Sequence, residues 1–200
     1  MLDFNDVVFL YEGYHKYEKG TNYASSNIVL IKGKKNIIID TGYFGDETII
    51  VSSLKKHDLK VDDIDFVLIT HWHFDHIANT NLFKNAIVIK GSYTGNIIIH
   101  DPIKHGGRKA EPKDLKEFKK IFEVIKTPGH TSEHLAFLFK TNKGNVIAAG
   151  DAIPLANFID CKKQPIVCQD IKLFNKSRSK ILKLADWIIP GHSPMIKIKK

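Results

Sequence analysis

The stretch Ile64-Asp65-Phe66-Val67-Leu68-Ile69-Thr70, followed by His71-Trp72-His73-Phe74-Asp75-His76, decides how this chain is read. Its first seven residues form a nearly continuous apolar run, the mark of a short strand buried on both faces. The next six hold four residues of metal-ligand type. Alternate residues of an extended chain project to one side, so His71 and His73 can approach one ion together. Asp75 and His76 follow where the chain must turn towards a helix, which frees them to serve a neighbouring position.

Three further segments repeat the design of an apolar run, a small-residue turn and one ligand-type residue. They are Thr127-Pro128-Gly129-His130, Ala149-Gly150-Asp151 and Ile188-Ile189-Pro190-Gly191-His192. Ordinary core histidines do not account for three such strand ends in one chain. Around them, strands are expected at 27–31 and 36–39 across a polar hairpin, at 86–90 and at 96–99. Helices are expected at 46–57 and 113–120, and the apolar 121–126 either extends the latter or forms a strand. A second hairpin joins 135–140 to 145–150. Residues 170–185 read as a helix with Ile171, Phe174, Ile181, Leu182 and Ala185 on its apolar stripe and its lysines and arginine elsewhere. Strands at 187–189 and 195–198 follow. The loops 100–113 and 152–169 are long enough to be functional.

With 200 residues, 43% apolar and 26% charged, the composition suits one soluble domain over 1–200 and excludes a wholly disordered chain. No apolar run approaches the ~20 residues of a membrane span, so no membrane partner is expected. The N-terminus lacks a basic leader, and Cys161 and Cys168 are too few for a disulfide framework. Both features point to the cytoplasm. A net charge of +8 suits a polyanion such as nucleic acid, and equally a solvated surface.

The motifs THWHFDH, TPGHT, AGDA and IIPGH, with the earlier IIIDTG at 37–42, together resemble the metallo-β-lactamase superfamily in order and spacing. The resemblance implies an α+β fold, an αββα sandwich of two mixed sheets with outer helices and metals at one edge. It implies His71, His73 and His130 as ligands of a first metal and Asp75, His76 and His192 as ligands of a second, with Asp151 bridging. Imidazole and carboxylate donors suit zinc, here two ions per chain, and also accept iron or manganese. An aspartate at 151 argues against β-lactam hydrolysis, because true β-lactamases of the family lack the bridging aspartate. The helical extension of the glyoxalase II type and the large insertion of the RNA-cleaving β-CASP type find no counterpart here. The pattern THxHxDHI and the tail QDIKLFNKSRSKILKLADWIIPGHSP are similar to short, single-domain animal members described as endoribonucleases. Ala78 departs from the glycine that many relatives place there.

The expected activity is therefore a dinuclear zinc-dependent hydrolase using a metal-bound hydroxide, with RNA phosphodiesters as the leading substrate. Thioester or lactone hydrolysis comes next, then mononuclear iron persulfide oxidation, and last a metal-binding protein without catalysis. Asp75 is expected to orient the nucleophile, and His134 to support a ligand or assist the leaving group, with a plain hydrogen-bonded strand histidine as the alternative. Asp40, Thr70 and Thr131 are candidates to hydrogen-bond the ligand histidines. Lys104, Arg108, Lys109, Lys162 and Lys163 are expected to flank the cleavage point, with His100 and His105 in the same basic loop as Arg108. His15 and His57 are assigned to the surface, Trp72 and Phe74 to packing beside or beneath the site. A homodimer is compatible with all of this.

Overall fold

Short runs of β-branched residues dominate the computed structural model, which describes residues 1–92, 97–99 and 107–199. One six-stranded sheet has the order β1 (Val7–Tyr11), β4 (Ile28–Ile31), β5 (Ile37–Ile39), β6 (Phe66–Leu68), β7 (Ile87–Gly91) and β8 (Ile97–Ile99). A five-stranded sheet has the order β13 (Ile196–Lys197), β12 (Trp187–Pro190), β11 (Gly144–Gly150), β10 (Leu135–Thr141) and β9 (Phe122–Lys126). A separate hairpin pairs β2 (Tyr14–Glu18) with β3 (Thr21–Ser25). The helices are α1 (Glu47–Lys55), α2 (Phe74–Ile77), α3 (Pro112–Ile121) and α4 (Ile171–Leu184).

The period of two sorts the strand residues into layers. Val29, Ile31, Ile37, Ile39, Phe66, Leu68, Ile87 and Ile89 face Leu135, Phe137, Phe139, Val146, Ala148 and Ile189 across the two sheets. The opposite faces of the first sheet, through Leu30, Ile38 and Val67, pack on Ile50 and Leu54 of α1. Those of the second sheet, through Ala136, Leu138, Ile147 and Ile188, pack on Ile181 of α4 and on Ala185, which caps it. The result is helix on sheet on sheet on helix, with both sheets mixed as expected. Strands buried on both faces cannot alternate polar with apolar, which is why their sequences are continuous apolar runs.

The ambiguous 121–126 stretch ends the helix at Ile121 and is a strand over Phe122–Lys126. Helix α3 stops at Ile121 because Phe122 turns extended (φ −121°, ψ 141°), and β9 then pairs antiparallel with β10. Phe118 and Phe122 enter the core between the sheets.

Direction matters most for the site. Strands β5, β6 and β7 run parallel, as do β11 and β12, and β9 shares the latter direction because both β9 and β11 pair antiparallel with β10. The segments bearing His71, His130, Asp151 and His192 leave the carboxyl ends of β6, β9, β11 and β12, the end at which open α/β sheets collect their ligands.

Candidate metal centre

The strand ends bring seven donors into two adjacent groups: His71, His73, His130 and Asp151 in one, Asp75, His76 and His192 in the other. Within each group the donor atoms lie within 4.8 Å of one another. His73 Nδ1 is 3.0 Å from His71 Nε2 and 3.0 Å from His130 Nε2. Asp151 stands between the groups: Oδ2 is 3.3 Å from His130 Nε2, and Oδ1 is 3.1 Å from His192 Nε2 and 3.5 Å from His76 Nε2. Asp75 Oδ2 lies 3.7 Å from His76 Nε2 and 3.6 Å from His192 Nε2.

Four of the five imidazoles are tethered through Nδ1, which leaves Nε2 as the ligand atom. Asp40 accepts from the backbone N–H and the hydroxyl of Thr70, 2.8 Å each, and from His76 Nδ1 at 2.8 Å. With its hydroxyl proton given to Asp40, Thr70 Oγ1 accepts from His71 Nδ1 at 3.1 Å. His130 Nδ1 donates to the Val167 carbonyl (3.0 Å) and His192 Nδ1 to the Ser25 carbonyl (2.9 Å). Asp40 and Thr70 therefore stand where ligand-orienting residues must.

Do these residues fit a cation? His71 and His130 both carry their proton on Nδ1, so their Nε2 atoms present lone pairs to His73 Nδ1. A single proton on His73 can satisfy one of them, whereas a cation between the three nitrogens satisfies all. In addition, His76 Nε2 and Asp151 Oδ1 are buried without a hydrogen-bond partner. Leaving such atoms bare is costly unless a ligand completes them. The donor set fits metal ions.

Burial opposes charge on Asp151, but His192, His130 and His76 outweigh it and hold the carboxyl well below its ordinary value. Burial likewise opposes charge on His76, and there Asp40 and Asp151 prevail, raising it to about 9. On His71 the balance goes the other way: burial first, then His76, pushes it well below 6.5, and Asp151 opposes them without prevailing.

The small residues of the motifs have steric work. A Cβ on Gly191 would collide with Asp151 Oδ1, so only glycine lets the carboxylate sit against that turn. Gly129, at φ 138°, meets the Phe174 backbone at the start of α4, where any side chain would clash. Asn27, a buried side chain that the sequence reading did not single out, donates to the Pro190 and Ser193 carbonyls and accepts from Gly13 N–H. It ties the two sheets together beside His192.

The donor groups open into a cleft of about 850 Å³. One wall is the β2–β3 hairpin with Tyr14, His15, Asn22 and Tyr23, and the other is the segment Leu155–Val167, including Lys163. Phe74 is 65% exposed on the rim, 5.9 Å from Phe44, rather than packed beneath the site. Trp72 does pack beside it: the indole donates to the Gly91 carbonyl, and Lys90 Nζ sits 3.8 Å from its ring centroid.

Several expectations need correction. Of the roles open to His134, assistance to the leaving group is the one the structure removes: the residue is buried behind His71, stacked at 4.9 Å between centroids, and hydrogen-bonded to Thr127 at 2.8 Å. Burial also drives it well below 6.5, so it supports His71 instead of handing a proton to substrate. Thr131 is buried with an unpartnered hydroxyl and tethers no ligand. Arg108 lies at the wrong end of the sheet. Its N–H donates to the Ala86 carbonyl, just before β7, about 15 Å of strand away from the carboxyl ends, and its guanidinium is spent on Asp114. Lys109 follows it there. His15 belongs to the cleft wall, 5.7 Å from His192 between centroids, with Nε2 2.6 Å from Asn22 Oδ1. His100, Lys104 and His105 lie outside the described residues.

Comparison with known proteins adds the lineage. The sequence profile described as the metallo-beta-lactamase superfamily matches residues 22–192. The chain belongs to that superfamily. A metallo-beta-lactamase domain-containing protein 1 from Xenopus laevis is 33% identical over 202 residues, covering 98% of this chain and 83% of the relative. A protein of Methanocaldococcus jannaschii named as a probable metallo-hydrolase is 36% identical over 165 residues, covering 82% and 74%. Among solved structures, a metallo-beta-lactamase-type protein from Thermotoga maritima superposes with a TM-score of 0.71 at 24% identity, covering 96% of this chain and 98% of that one. A quorum-quenching N-acyl homoserine lactone lactonase shares the fold at a TM-score of 0.67 and 19% identity, covering 94% and 90%. As a member of this superfamily the chain is a metal-dependent hydrolase. No helix among the described residues is long and apolar enough to cross a membrane.

Proposed function

We propose that this hydrolase works with two divalent cations, zinc by preference, and cleaves phosphodiester bonds of single-stranded RNA. The observation that carries the dinuclear reading is Asp151, whose carboxylate lies between the donor groups: Oδ2 is 3.3 Å from both His130 Nε2 and His192 Nε2, and Oδ1 is 3.1 Å from His192 Nε2 and 3.5 Å from His76 Nε2. His71, His73 and His130 would hold one ion, Asp75, His76 and His192 the other. Five imidazoles and two carboxylates match the donor preference of zinc. When bound, a cation pair supplies a water of lowered pKa and neutralises charge that builds on the scissile group.

The chain's own residues supply orientation and contact. Asp40 keeps His76 in the tautomer whose Nε2 faces Asp75 and Asp151. Asp75 lines the cleft, where its carboxylate can accept a hydrogen bond from the attacking water and hold its proton. Tyr14, Tyr23 and Phe74, 46%, 48% and 65% exposed, offer faces on which unpaired bases stack, and Lys163 offers a cation to the phosphate chain. Together with the net charge of +8, these features favour a single-stranded polyanion over a neutral ester.

Salt dependence tests this reading. Contact with ~4 phosphates of a single strand gives a log–log slope of affinity against salt near −3. A slope near −3, with RNA cleavage weakened in Lys163→Glu, supports it. A flat response together with rapid turnover of a neutral lactone or thioester transfers the assignment to those esters, whose acyl chains the apolar residues Leu155, Phe158 and Ile166 would suit.

A further inference from the structure

Arg178 sits in the middle of α4 and is only 1% exposed. By sequence it belongs to the polar face of that helix, yet the structure seals it under the loop that follows β11. A guanidinium stripped of water needs partners for its donors. Nη1 donates to the carbonyls of Lys163 at 2.6 Å and Phe158 at 3.5 Å, and Nη2 to the carbonyl of Cys161 at 2.8 Å and to Asn175 Oδ1 at 2.7 Å. Three of these four acceptors belong to one short stretch of backbone, residues 158–163.

That stretch has little regular structure to hold it. Between β11 and α4 the described backbone forms only the short 3₁₀ turn Ala156–Ile159, and Ile159 and Ile166 are exposed. Ordering such a loop costs conformational entropy for every residue fixed. Its far end is nevertheless committed to the metal centre, because the Val167 carbonyl accepts from His130 Nδ1 at 3.0 Å. Lys163, whose carbonyl Arg178 grips, lines the cleft.

We infer that Arg178 is a positioning residue for the cleft wall: from outside the cleft, its guanidinium fixes backbone 158–163 so that Lys163 meets substrate and Val167 reaches His130. The inference rests on the reading of this cleft as the active site. Lysine cannot replace the arginine, since one ammonium lacks the planar fork that reaches three carbonyls at once.

The test uses the metal-loaded full chain as wild type, Arg178→Lys, Arg178→Met and Asn175→Ala. Native-state tryptic cleavage after Lys162 and Lys163 reads the loop without any substrate, and RNA kinetics reads the cleft. In Arg178→Lys the nicking rate is expected to rise tenfold or more, and KM for RNA about fivefold or more, with kcat changing less than twofold. Asn175→Ala, which removes only the guanidinium's side-chain partner, is expected to move the same readings in the same direction by a smaller factor. Should both Arg178 variants fail to fold, Asn175→Ala decides alone. Unchanged nicking and unchanged KM in a folded variant overturn the inference. Because nicking needs no substrate, a failure of the RNA reading leaves that arm intact and is recognised separately by the absence of RNA turnover in the wild type.

Discussion

At the carboxyl ends of β6, β9, β11 and β12, buried polar atoms outnumber their protein partners, whereas at the amino end of β7 the buried charge has its partners. His76 Nε2, His134 Nε2 and Asp151 Oδ1 are sealed from water without hydrogen bonds at the first end. At the other, Arg108 grips Asp114 with two bonds of 2.8 and 2.9 Å, and Lys35 meets Asp65 at 2.8 Å. Each unmatched buried group costs on the order of 1–3 kcal/mol. A fold that satisfies its buried charge at one end and not at the other has built the second end around something that binds there.

Removing a donor from the unmatched end should break the contrast most severely. Asp75→Ala is expected to lower turnover at least a thousandfold while circular dichroism and melting stay near wild type, since His71, His73 and His130 still bind. Unchanged kinetics would place the chemistry elsewhere. Chelation of the metal should abolish activity to the same degree, with recovery on adding zinc.

An intermediate effect is expected where the support is weakened and the donors are kept. Asp40→Asn removes the carboxylate that orients His76, a change of the type that costs about 10–100-fold in metal affinity. Competition with a chromophoric chelator would read it. Wild-type affinity in this variant would mean that the left-handed turn at Asp40 (φ 54°), and not its carboxylate, is what the site needs.

The smallest effect belongs to the matched end and should touch stability alone. The Arg108 fork holds Asp114 down to about 2, so its contribution is fully present above pH 4 and is lost as pH falls towards 2. Asp114→Asn is expected to cost about 1–2 kcal/mol at pH 7, the figure reduced because Arg108 is open to solvent. The gap between variant and wild type should close between pH 4 and pH 2 in urea titrations, with activity unaltered at pH 7. A constant gap across that range would assign the effect to packing.

The two ends were also unequally legible in the sequence. Strands buried on both faces announce themselves as runs such as Ile37–Ile39 and Phe66–Leu68, and every donor lies in a segment that begins just past a strand end. Position after a strand end is a local property, so the donor groups could be read from motifs. Burial of a charged residue is not local. Arg178 looks like one more cation on a polar helix face until a distant loop folds over it, and Arg108 looks available until Asp114 claims it. His134 and His15 show the same limit in opposite directions: one sits four residues after a ligand yet is buried behind His71, the other begins a remote hairpin that returns to the cleft. Sequence distance to a motif says little about which side of a sheet a residue reaches.

The central claim, two cations with Asp151 between them, is tested most directly by counting metal in protein prepared without chelators, alongside activity. The account predicts close to two equivalents of zinc per chain in fully active wild type, and less than one in Asp151→Ala, because both donor groups lose a ligand together. A fully active protein holding a single equivalent, above all one iron with oxygen consumed during turnover, would contradict it.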